Sequence, residues 1–260
     1  MKRLIINADD FGFTSDVNAG IIRAHTEGVL TSTTLMANGA AFQDAVRLIK
    51  ENPTLDVGCH LVLLQGTSLL TGTSLPKGLG ELVFRLARGG LDVYSELRLQ
   101  IEKILAAGIT PSHLDTHKHT HLIPHVCRSV VRLAKEFRIP FVRLPLDRTI
   151  RIAGLPVSLA EGYYQRIARQ HGVLFTDNFL GFGLTGSLTE ETLMAAILAL
   201  PDGLTEFMCH PGLLGPELSK AETRLKESRV RELEALTSPR IRRLLDESGV
   251  RLSPFCNNKE

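Results

Sequence analysis

The chain has 260 residues, 43% of them hydrophobic and 22% charged, with 30 Lys and Arg against 28 Asp and Glu for a formal net charge of +2. That balance gives no electrostatic case for nucleic acid, because phosphate binding needs a net basic face. The apolar content excludes disorder, and the longest helical apolar run, Leu193–Leu200, falls well short of the roughly 20 residues that span a bilayer.

Strand-like and helix-like runs alternate along the chain. Leu4–Ala8 reads as a strand that ends in Asp9-Asp10-Phe11-Gly12, and Ser15–Thr26 as a helix. Val29–Ala37 is the second strand, Ala41–Glu51 an amphipathic helix stopped before Pro53, and Asp56–Leu64 the third strand. Gly66–Gly90 is rich in Gly and Leu and is expected to be an irregular insertion over one end of the fold. Ser95–Ala107 carries Leu97, Ile101, Ile104 and Leu105 at helical spacing. Ser112–His117 is a strand, Val126–Phe137 a helix, Phe141–Leu144 a strand, Ser158–His171 a helix and Val173–Thr176 a strand. A capping box at Ser187-x-x-Glu190 opens a helix running to Leu200. Thr205–Cys209 is a strand, Lys220–Leu236 and Ile241–Ser248 are helices, and Val250–Phe255 is a last strand. Regular β-then-α alternation means parallel strands with helical crossovers. Seven or eight such units fit one irregular, TIM-like (β/α) barrel domain over residues 1–260, with an open doubly wound sheet as the rival.

Cys59, Cys127, Cys209 and Cys256 form no C-x-x-C pair, and a chain of this size needs no disulfide staples, so reduced thiols are expected. The apolar run after Met1 is too short for a signal peptide and acids follow it at once, which points to a cytoplasmic protein.

In parallel α/β folds, chemistry gathers at the C-terminal ends of the strands. Here those ends carry Asp9 and Asp10, then His60, then Asp115 and His117 continuing to His119 and His121, then Arg143, Asp177 and His210. Strand parity turns Cys59 and Cys209 toward the helices and their neighbours His60 and His210 toward the barrel mouth. Imidazoles and a carboxylate from separate strands are a common ligand set for a divalent metal with open positions, so Asp10, His60 and His117 are the expected ligands. Asp115 is expected to steer His117 from behind. Arg143, His119, His121 and Asp177 are assigned to substrate or to the support of the ligands.

Other signals are discounted. Gly181-Phe-Gly183-Leu-Thr-Gly186 matches G-x-G-x-x-G but does not sit between a strand and a helix, so a turn or substrate loop is expected. The mixed charges from Lys220 to Arg243 include the i,i+4 pairs Glu222/Lys226 and Glu227/Arg231, the pattern of a solvated helix face.

Asn7-Ala8-Asp9-Asp10-Phe11-Gly12, Thr31-Ser32-Thr33-Thr34, Gly58-Cys59-His60, Leu114-Asp115-Thr116-His117-Lys118-His119-Thr120-His121 and Cys209-His210-Pro211, in this order over nearly the whole chain, resemble the YdjC-type carbohydrate deacetylases, which include chitooligosaccharide deacetylase. The resemblance implies an irregular (β/α) barrel, one divalent metal (magnesium in the family, with zinc the alternative), and hydrolysis of N-acetyl groups on sugars. By position it gives His60 and His117 as metal ligands with Asp10 completing the set, and Asp9 as the base. Leu64, where the chitooligosaccharide branch carries Thr, and Gly203-Leu-Thr-Glu206 look more like the hopanoid-biosynthesis-associated branch.

The expected reaction is metal-assisted amide hydrolysis, with water activated by the metal, Asp9 as base and His210 protonating the departing amine. The substrate is an N-acetyl sugar or a sugar-bearing glycolipid, and a homodimer follows from the resemblance only. The rivals are a metal-dependent phosphoesterase or sugar isomerase on the same barrel, and a non-catalytic glycan-binding protein. With Trp absent, Phe11, Phe179, Phe182 or Tyr163 would have to supply any aromatic surface for a sugar ring.

Overall fold

A computed structural model describes residues 1–145, 147, 151–152, 155–156 and 160–258. In chain order its elements are β1 (Lys2–Phe11), α1 (Ser15–Thr26), β2 (Ser32–Leu35), α2 (Phe42–Glu51), β3 (Asp56–Leu61), α3 (Leu79–Ala87), α4 (Val93–Ala106) and β4 (His113–Thr116). A six-residue 3-10 segment (His117–Leu122) leads into α5 (Pro124–Glu136), β5 (Phe141–Val142), β6 (Arg151–Ile152), β7 (Leu155–Pro156) and α6 (Glu161–Gln170). Then come β8 (Asn178–Leu180), α7 (Glu190–Leu198), β9 (Gly203–Cys209), α8 (Pro216–Lys220), α9 (Glu227–Leu236), α10 (Pro239–Ser248) and β10 (Arg251–Leu252).

Seven parallel strands run in the order β5-β4-β3-β2-β1-β9-β8 and curl into a half-barrel, while β6 and β7 form a separate antiparallel pair. This is the irregular TIM-like architecture that the alternation of elements implies. The sheet does not close between its edges among the described residues; one isolated bridge, Phe141 to Leu174, reaches into the gap. At the centre, β1 pairs β9 from Lys2 to Ala8. On its other side it pairs β10 at Arg3 and Leu4 and β2 from Asn7 onward.

Alternation along β1 separates two interiors. Leu4, Ile6 and Ala8 join Phe207, Cys59 and Cys209 in the large core between sheet and helices. Ile5 joins Phe141, Leu204 and Phe255 in a small cluster on the inner face, and full burial of each such side chain stabilises by about 1.5–3 kcal/mol. Above that plug the inner face turns polar. His113 stacks on Phe255 with ring centroids 3.9 Å apart, and its Nε2 lies 3.2 Å from Asn7 Oδ1. The functional layer lies above Asn7.

The structure corrects several expected elements. Val173–Thr176 is not a strand; the edge strand is Asn178–Leu180, set by its register against Thr205–Phe207 of β9. The capping box belongs to Thr189 and Thr192, with the Thr189 side chain accepting from Thr192 N, not to Ser187 and Glu190. Lys220–Leu236 is not one helix but the end of α8 and all of α9. Residues 66–90 are not wholly irregular, since Thr67 and Ser74 form an antiparallel bridge and α3 follows. The expected first residues of the sixth helix, Ser158 and Leu159, lie outside the described residues.

Candidate active site

Asp9 and Asp10 leave a regular strand on opposite faces, but the end of β1 is not regular. Its register against β2 shifts between Ala8 and Phe11, and Asp10 takes a positive φ of 70°. Both carboxylates therefore line one cavity of about 630 Å³ with His60, His117 and His210.

Three donor atoms converge there from three elements. Asp10 Oδ1 lies 3.1 Å from His117 Nδ1 and 3.4 Å from His60 Nε2; the two ring nitrogens are 3.2 Å apart. Edges of this length are what ligand bonds of about 2.0–2.1 Å give at tetrahedral or octahedral angles. The donor set therefore fits a divalent cation. His60 Nδ1 lies 2.8 Å from Asp115 Oδ1, which places its N–H there and leaves Nε2 for the ligand position. Burial opposes a charge on His60, yet Asp115 and Asp10 outweigh it and hold the imidazole up at about 10.

Asp115 thus steers His60, not His117 as the sequence suggested. The parity of β4 puts Asp115 beside the partner strand, where His60 and Asp115 are paired residues, whereas His117 has already left the strand. Lys118 and His119 follow at φ 54° and 52°, a left-handed pair that returns the chain to the cavity wall and costs backbone energy.

Arg143 is the hub of the layer. Its side chain is buried, with Nη1 donating to Asp9 Oδ2 (2.7 Å) and Asp115 Oδ2 (2.6 Å). Nη2 donates to Asp9 Oδ1 (2.7 Å) and Nε to Glu206 Oε1 (2.7 Å). Burial alone would raise the Asp9 pKa, but the Arg143 guanidinium outweighs it and keeps this carboxyl well below the usual range. Arg143 is not among the described residues that line the cavity; its side-chain bonds hold Asp9, Asp115 and Glu206.

His210 lines the cavity. Its backbone N–H donates to Glu232 Oε2, and its Nδ1 finds no partner among the described residues. Burial pushes it down to about 4, against the pull of Asp9 and Asp10. His119 also lines the cavity, its ring edge-on to Phe182 at 4.4 Å. His121 does not; it is buried behind the wall against Thr116 Oγ1.

Asp177 is not brought to the site. It precedes β8, and its Oδ2 accepts from Leu204 N at 2.7 Å, near the start of β9. His210 lies six residues further along that line, about 20 Å at 3.3 Å per residue. A strand at Val173–Thr176 would set Asp177 at its C-terminal end; with the strand at Asn178–Leu180, Asp177 stands before its first residue.

Four residues of the site are not foreseen from the sequence. Glu206 is a charge inside the otherwise uncharged run Leu204–Cys209; that contrast was a usable signal. Arg229 donates to Asp10 Oδ2 at 2.5 Å. With Glu232 it is buried on the same face of α9 as Leu233 and Leu236, while Glu227 and Arg231 lie on the exposed face that the i,i+4 charges imply. Phe13 lines the cavity, as does Phe182, whereas Phe11 is packed into the core and Tyr163 lies against Tyr164.

The Gly181–Gly186 stretch is a wall of the cavity, not a dinucleotide loop. Gly181 has φ +101°, and a Cβ there would sit 2.2 Å from Met208 O. Gly181→Ala is expected to cost about 1–3 kcal/mol, measured as a lower thermal midpoint; an unchanged midpoint would contradict this wall geometry.

A family model described as YdjC-like protein matches residues 3–247. The chain belongs to this family. Relatives include the carbohydrate deacetylase of Geobacillus stearothermophilus, 38% identical with 96% of each chain covered. Another is the carbohydrate deacetylase of Brevibacillus brevis, 34% identical with 97% of this chain and 98% of the relative covered. Among solved structures, an Enterococcus faecalis V583 protein named for cellobiose-phosphate cleavage superposes with a TM-score of 0.82 at 26% identity, covering 99% of this chain and 98% of its own. The half-barrel is thus a fold already seen over nearly the full length of this chain. No helix among the described residues is long and apolar enough to cross a membrane.

Proposed function

We propose that this protein is a metal-dependent carbohydrate deacetylase that hydrolyses the acetamide of an N-acetylated sugar or of a sugar-bearing glycolipid. The observation that carries the reading is the convergence of Asp10, His60 and His117 in the cavity that Asp9 and His210 also line. The deacetylase names of the relatives support the same reaction class. The reading takes residues 1–260 as one barrel domain carrying the segment 66–90.

Asp10, His60 and His117 would hold a divalent cation, magnesium or zinc, whose chemistry there is to polarise the acetyl carbonyl and lower the pKa of water. Asp9 is ionised throughout the physiological range, the form a general base needs. The Arg143 clamp costs it basicity but fixes its orientation, and positioned base catalysis contributes about 10²–10⁴-fold. Asp9 takes one proton from the attacking water. His210, neutral as substrate enters, takes that proton on and delivers it to the amide nitrogen as the C–N bond breaks. The products are acetate and a free amine. Phe13 and Phe182 offer the aromatic faces for a sugar ring.

Exhaustive chelation is expected to abolish acetate release from a panel of N-acetyl sugars and glycolipids, and added Mg²⁺ or Zn²⁺ to restore it. Full activity after chelation would overturn the metal assignment. Release of phosphate in place of acetate from an N-acetyl sugar phosphate would overturn the reaction class.

A further inference from the structure

Glu206 is fully buried in the middle of β9. It sits one inward step above Leu204 of the apolar plug and beside Ile5 of β1 in register. An apolar side chain would fill this position without desolvating a carboxylate. Nor is Glu206 needed to balance Arg143, since Asp9 and Asp115 already place two carboxylates on that guanidinium. A third adds repulsion among the acids. What Glu206 alone supplies, among the described residues, is the acceptor for Nε. Its second oxygen finds no partner among the described residues, so its local connection is that single bond.

A guanidinium is planar, and its donors stand in a fixed fork. Pinning Nε therefore fixes the rotation of the plane, and with it where Nη1 and Nη2 point. Nη2 and Nη1 hold the two oxygens of Asp9. Nη1 also holds Asp115, whose other oxygen orients His60. We propose that Glu206 is a positioning residue that, through Nε of Arg143, sets the angle at which Asp9 faces the reacting water and the placement of Asp115 behind His60. It touches neither substrate nor metal. This inference rests on the deacetylase reading for its effect on rate, but not for its effect on Arg143.

The test compares Glu206→Met, which keeps volume and removes the acceptor, with Glu206→Gln, which keeps the acceptor and removes the charge. In the metal-loaded full-length protein, Glu206→Met is expected to lower kcat on an N-acetyl sugar by about 10²-fold, the cost of misplacing a reacting group by roughly an ångström. KM should stay within a few-fold, and Glu206→Gln should recover most of the loss. The Arg143 Nε–H resonance, read by NMR, should persist in Glu206→Gln and shift or vanish in Glu206→Met. Equal activity of Glu206→Met and wild type overturns the proposal. So do equal losses in both variants, or a loss that only tracks the folded fraction. A wild type inactive on every N-acetyl sugar strikes the functional reading instead, and the Nε–H resonance then still decides whether Glu206 positions Arg143.

Discussion

His60→Ala is expected to lose divalent-metal binding and at least about 10³-fold of kcat/KM, since a bound cation supplies several kcal/mol of transition-state stabilisation and each 1.4 kcal/mol is tenfold. His60 is the ring on which the site depends most. Its Nε2 faces both other donors, while its Nδ1 is fixed between Asp115 and Thr34. Removing it leaves Asp115 with an unpaired oxygen and Asp10 and His117 without their third partner. Asp115→Asn should be milder, with metal affinity lower by about 10–100-fold, as for other groups that orient a ligand. Metal content by mass spectrometry and acetate release on the same samples check both. A His60→Ala protein that keeps one metal per chain and wild-type turnover would refute the assignment.

Arg143→Met is expected to be the most destabilising single change in the barrel interior. It strips the counter-charge from Asp9, Asp115 and Glu206 at once, and an uncompensated buried charge costs about 3–5 kcal/mol. At roughly 2–4 °C per kcal/mol for a chain of this order, the thermal midpoint should fall by about 10 °C. The penalty should depend on pH, with a definite sign. In the wild type, Asp9 is held below its ordinary value of 3.8, so it contributes stability above that pH and loses it as pH falls through the lowered value. Glu206 is already pushed up to about 7 by burial even with Arg143 beside it. Without the guanidinium, burial prevails and both acids favour their protonated forms. The gap between variant and wild type should then be widest above pH 7 and narrow toward pH 5. A gap independent of pH, or one that widens on acidification, would show that the carboxylates are not the source of the loss.

Much of this centre was legible because a parallel sheet is simple to read at its strand ends. An apolar run that stops at an ionisable residue marks both the strand and the place where chemistry can sit, as at Ala8-Asp9-Asp10 and Cys209-His210. Parity then sorted His60 from Cys59. The edge of the sheet was harder to read. Val173-Leu-Phe-Thr176 has the composition of a strand, but pairing against β9 begins at Asn178, and edge pairing follows the neighbour more than propensity. That shift carried Asp177 from the expected mouth to the far end. Arg229 and Glu232 were hidden for a different reason. Their helix also carries charges at i,i+4 spacing, and only the packing of α9 over the end of β1 shows which charges face inward. Asp115 was assigned to its neighbour along the chain when its partner lies across the sheet.

The flanks of β1 bear on how the chain acquires its shape. Lys2 pairs with Gly203 and Arg3 with Arg251, while only the upper half of the strand meets the nearby β2. The strand that delivers Asp9 and Asp10 is therefore completed by segments from the opposite end of the sequence. Its formation requires closing very long loops, which slows folding. Until that closure, Ile5 on the inner face of β1 lacks Leu204 and Phe255, its partners in the small apolar cluster. A chain stalled before the segment around Arg251 and Phe255 is in place would present an unpaired, apolar edge, the kind of surface on which chaperones act and aggregation begins.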